Sequence, residues 1–155
     1  MLFLLTMLTK SGDVWFKMIN KFALYRLTTP FRSRLQDRLM KERSHLNADA
    51  FARSLEDGER HSEIAHALWE LLREHAFVAD FRPEPDDDLY KVFAMDEEII
   101  QDEVLYELVT RLGLNIDGID FTGFDFAAIT TPKDVSRFLA NVADAQGGEN
   151  KQNIE

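Results

Sequence analysis

The stretch from Arg82 to Leu139 constrains the fold more than any other part of this chain. It reads as a break, a long acidic helix, an aromatic loop and a capped helix. The break is Arg82-Pro83-Glu84-Pro85-Asp86-Asp87-Asp88, where two prolines remove backbone donors and three aspartates resist burial on a helix face. A domain joint or the main loop is expected there. Leu89, Val92 and Phe93 follow as a short apolar turn. Asp96 then opens the strongest helix, to about Leu112. Its Ile100, Val104, Leu108 and Leu112 step by four, and Leu105 and Val109 fill the adjoining row. Asp96, Glu97 and Glu98 sit in the first turn, where the helix dipole favours anions, and Gly113 stops the helix. A loop with Phe121, Phe124 and Phe126 leads to Thr131-Pro132-Lys133-Asp134, a helix start with an N-cap, proline at N1 and a carboxylate at N3. Val135, Phe138, Leu139 and Val142 follow at helical spacing. Burying those four is worth roughly 6–12 kcal/mol before entropy. The tail after Ala145 is polar and expected to fray.

The N-terminal half also reads as helices. Trp15, Ile19, Phe22 and Leu27 give a loose stripe over Val14–Leu27. Thr29-Pro30 signals the start of a second helix running to about Ser44, with Phe31, Leu35 and Leu39 along one side and Arg34, Arg38 and Lys41 along another. Asn47 caps a short helix over Ala48–Glu56, ended by Asp57-Gly58. A helix from about Glu59 to Phe77 turns Ile64, Leu68, Leu71, Leu72 and His75 inward. No strand and no internal repeat is visible, so the expected class is all-α, a small helical bundle. Its expected parts are a basic helical segment over 1–58, the bundle over 59–145 and a flexible tail over 146–155.

Charge is unevenly placed along the chain. Residues 1–45 hold nine Lys/Arg against three Asp/Glu, and residues 46–155 hold nine against 25. The acidic body should repel nucleic acid and attract basic protein surfaces. Without cysteine there is no disulfide, thiol nucleophile or thiolate metal site, which fits a reducing compartment such as the cytoplasm. The apolar opening Met1–Leu8 is far short of the about 20 residues that a spanning helix needs. It lacks the marks of a secretory signal, and Met7 or Met18 offers an alternative start.

From Ile64 to Val142 the chain resembles an acyl carrier domain. Ile64–Phe77 matches that family's first helix. Asp88-Leu89 followed by Val92-Phe93-Ala94-Met95-Asp96 matches the loop into its acidic second helix, and Leu112-Gly113-Leu114-Asn115-Ile116 matches that helix's exit. Thr131-Pro132-Lys133-Asp134-Val135 with Phe138-Leu139 matches the fourth helix. The resemblance implies a bundle that docks partners through an acidic helix, and in the family a serine after the Asp accepts phosphopantetheine. Here Glu97 or Glu98 stands at that place, and no serine occurs between Ser62 and Ser136. A carboxylate cannot form the phosphodiester, and its charge repels the pyrophosphate donor. The resemblance therefore implies a carrier-like domain without a cofactor.

The expected function is a non-enzymatic interaction module, docking the basic surface of a protein partner through Glu97, Glu98, Asp102, Glu103 and Glu107. The alternative is binding of anionic lipid or nucleic acid through the basic helix near residues 31–43, chiefly by Arg34, Arg38 and Lys41. Arg32 and Arg43 belong to the same helix, and packing of that helix against the acidic body would neutralise it internally. His66 and Glu70 share i, i+4 spacing but lack a second histidine at metal spacing. Neither Asp86, Asp87 and Asp88 nor Asp117, Asp120 and Asp125 follow the alternating calcium-loop pattern, so turn and capping roles are expected. Phe121, Phe124 and Phe126 are expected to plug one end of the bundle. No nucleophile elbow, ordered triad or glycine-rich phosphate loop is present, so no catalytic, metal or cofactor residue is assigned.

Overall fold

Asparagine and aspartate caps set three of the six described helix starts. The computed structural model describes residues 28–56, 58, 60–115 and 125–152, and these hold helices and no strand. Helix α1 covers 28–42. Helix α2 is Ala48–Ser54, opened by Asn47, whose side chain accepts from Ala50 N–H at 2.8 Å. Helix α3 is Ser62–Glu74 and α4 is Leu89–Phe93, capped by Asp88 through Lys91 N–H. Helix α5 begins at Glu97–Ile99 under the Asp96 cap, widens to π winding over Ile100–Leu105, and returns to α winding over Tyr106–Arg111. A 3-10 turn, Phe126–Ala128, precedes helix α6, Pro132–Gln152. The expected helix Val14–Leu27, the run Met1–Leu8, Phe121, Phe124, Asp117 and Asp120 lie outside the described residues. None of the described helices is long and apolar enough to cross a membrane.

Helix α3 is the centre of the bundle. It buries Ile64, Ala65, Leu68, Trp69, Leu71 and Leu72, and packs on α2, on the last part of α5 and on α6. His75, expected inward with them, is the C-cap residue and is half-buried. Phe51 of α2 meets Trp69 with ring centres 5.4 Å apart. Gly58 ends this segment at a place only glycine can occupy, since a Cβ there would lie 1.6 Å from Ala52 O. The other glycine stop is Gly113, at φ +63, with Leu114 N–H donating back to Val109 O. Helix α6 buries all four expected residues, Val135, Phe138, Leu139 and Val142. It runs on to Gln152, past the expected end at Ala145.

The proline-rich break is a loop without helix, as expected, but one of its three aspartates, Asp87, lies in the core. Phe81, Pro83 and Asp87 are buried. Arg43, just past α1, forks onto Asp87 with bonds of 2.8 and 2.6 Å, both groups buried. Asp87 also accepts from Glu84 N–H at 2.9 Å, and Arg43 donates to Arg82 O at 3.1 Å and stacks over Phe81. The same loop holds α6, since Lys133 N–H donates to Pro85 O and Leu89 N–H to Thr130 O. Gln36 of α1 is fully buried: its amide donates to Val92 O at 2.9 Å, and its carbonyl accepts from Phe77 and Val78 N–H. R43M should cost about 3–5 kcal/mol in chemical denaturation, because Asp87 is left buried and unpaired. R43M/D87L should recover a large part of that loss.

The Thr131 start is a reciprocal cap. The Thr131 hydroxyl donates to Asp134 Oδ2 at 2.7 Å and accepts from Asp134 N–H at 3.3 Å, while Thr131 N–H donates to the same carboxylate at 3.0 Å. Burial pushes the Asp134 carboxyl up, but the Thr131 hydroxyl and the Thr130 and Thr131 N–H groups hold it below the usual carboxylate value. A depressed carboxyl stabilises the fold above its unfolded pKa and loses that effect as pH falls through the folded one. D134N should therefore cost about 1 kcal/mol at neutral pH. In melting curves taken toward acid, the gap from the unmodified protein should close below about pH 4.

Candidate functional site

The outer side of α5 gathers the expected acidic residues, but not onto one face. Glu97, Glu98, Asp102 and Glu103 are exposed, and Glu107 is half-buried. Glu97 borders a hollow beside Asp88, Tyr90 and Asp96, floored by Met95 and Ile100. Asp102 lies at the middle of the helix, and Glu103 and Glu107 turn toward α3. Glu107 is engaged: Arg111 donates to it at 2.8 Å and forks onto Glu74 of α3 at 2.6 and 3.1 Å. That fork raises the Arg111 pKa and holds Glu74 below the usual carboxylate value. No ion pair or hydrogen bond engages the side chains of Asp102 or Glu103 among the described residues.

Tyr106 is the residue that sequence reading missed. It is 65% exposed, one turn beyond Asp102 and Glu103. It forms a ridge with Asp102 between two depressions. On one side is a cleft of about 290 Å³ lined by Leu105, Val109, Phe126 and Phe138. The Phe126 and Phe138 rings stand 6.0 Å apart. On the other is a polar hollow of about 360 Å³ holding Glu74, Glu103, Glu107 and Arg111. The winding of α5 shapes this ridge. Residues four apart drift about 40° per step around a helix of 3.6 residues per turn. The wider π turn offsets the drift, so Ile100, Val104 and Leu108 stay buried together while Leu112 is half-buried. The step-of-four run was the available signal for that irregularity.

The basic helix is divided between inside and outside. Arg32 and Arg43 are buried, Arg32 donating to Tyr90 O at 3.3 Å and lying over the Tyr90 ring. Arg34, Arg38 and Lys41 are exposed and make no ion pair among the described residues. Phe31, expected on the apolar side with Leu35 and Leu39, is 76% exposed instead. The same drift turns it away from those residues. Thr29, expected as the cap, is already helical, and its carbonyl accepts from Ser33 Oγ. Of the histidines, His66 lies 3.1 Å from Asp49 and 2.6 Å from Ser62 O, contacts that raise its pKa, the Ser62 bond foremost. Asp88 and Asp125 cap short helical turns.

Comparison with family models, curated proteins and solved structures returned no match for this chain.

Proposed function

We propose that this chain is a non-enzymatic interaction module that docks a basic protein partner across the outer side of α5. The observation that carries this reading is the ridge of Asp102 and Tyr106 beside an apolar cleft. An apolar side chain of the partner enters the cleft against Leu105 and Phe138, and flanking Lys or Arg groups meet Asp102, Glu103, Glu97 and Glu98. Tyrosine at the centre of such a patch suits it to carry much of the binding energy. A π turn directly beneath the ridge adds support, since such turns gather at functional sites. Glu107 has a positioning part, because Arg111 ties it to α3.

The carrier resemblance supports the same reading through the order of its elements, with Glu97 and Glu98 where an attachment serine would stand. Incubation with a phosphopantetheinyl transferase and coenzyme A should leave the intact mass unchanged; an added arm would overturn the reading.

Y106A and D102K/E103K change exposed residues and should leave the melting temperature within about 2 °C, in line with surface substitutions. Each should reduce recovery of a co-purified basic partner by at least about tenfold, the charge change more so at low salt. Unchanged recovery with both variants would remove this face from consideration.

A further inference from the structure

The outward side of α1 presents Phe31, Arg34, Arg38 and Lys41 at i, i+3, i+7 and i+10, all exposed. These positions fall on one arc of the helix. Asp37 and Glu42 flank the arc without lying between its cations. The opposite side is used inside the molecule, where Arg32, Gln36 and Arg43 make the bonds that fix the helix in place. Internal neutralisation therefore accounts for Arg43, which meets Asp87 and Glu84, and not for Arg34, Arg38 and Lys41; Arg32 is held by the Tyr90 carbonyl and ring. The chain before α1 continues the same chemistry: residues 1–27 carry Lys10, Lys17, Lys21 and Arg26 against Asp13, together with the apolar run Met1–Leu8.

We propose that this side of α1 binds an anionic membrane surface, with Phe31 entering the headgroup boundary and Arg34, Arg38 and Lys41 facing acidic phospholipid. Charge complementarity selects an anionic occupant. The exposed Phe31 ring beside the cations, and the apolar run at the start of the chain, favour lipid over nucleic acid. The proposal uses a different face from the α5 cleft and stands or falls separately from it.

The test is sedimentation of the full chain with phosphatidylcholine vesicles, with and without phosphatidylserine, at low and high salt. Binding is expected only with phosphatidylserine and is expected to fade with salt. R34E/R38E/K41E should weaken it by at least about 100-fold, since each site loses roughly the contribution of one surface cation and gains a repelled carboxylate. F31A should weaken it less, and neither variant should change the circular dichroism melt. Three results would overturn the proposal. They are no binding by the unmodified chain, equal binding by the triple variant, and binding to a duplex oligonucleotide without binding to vesicles.

Discussion

The Arg43–Asp87 fork holds together parts of the chain that local sequence rules would leave apart. Two opposite charges buried at 2.6–2.8 Å are stable only with their remaining lone pairs and protons satisfied. Glu84 N–H and Arg82 O supply those partners. The loop that carries Asp87 also accepts the first turn of α6 at Pro85. One polar crosspiece thus fixes the end of α1, the approach to α4 and the start of α6. Gln36 does the same work further up α1, bridging Val92 to Phe77 and Val78.

That crosspiece decides which charges remain outside. The inward side of α1 takes Arg32 and Arg43, leaving Arg34, Arg38 and Lys41 with Phe31 on the surface. On α5, the Arg111 fork engages Glu107 and Glu74, leaving Asp102 and Glu103 beside Tyr106. The molecule then carries a cationic aromatic ridge on one helix and an acidic aromatic ridge on another. Each proposal centres on exposed side chains, Phe31, Arg34, Arg38 and Lys41 on one helix and Asp102, Glu103 and Tyr106 on the other.

Locally encoded features were legible in the sequence. Asn47, Asp96 and Thr131 cap the helices they were expected to open, because a cap depends only on a side chain and an N–H three residues on. The four apolar residues of α6 fall inward as their spacing requires. The all-α class follows from the same local signals. Pairings across the chain were not legible. Arg43 and Asp87 are 44 residues apart, and nothing in periodicity joins a lone arginine to the second of three aspartates. Phe31 does not join Leu35 and Leu39 because residues four apart drift around an α-helix. In α5 the same step does mark a line, because the helix widens beneath it. Tyr106 carried no signal beyond being an aromatic residue outside the apolar stripe.

Helix α1 is an integral wall of the bundle, held by buried polar bonds. Native-state hydrogen exchange of the α1 amides tests it most directly. Amides in the middle of α1, around Gln36, should open with the same free energy as those of α3 around Leu68. Exchange of α1 as a separate, weakly protected unit while α3 and α6 remain protected would contradict it.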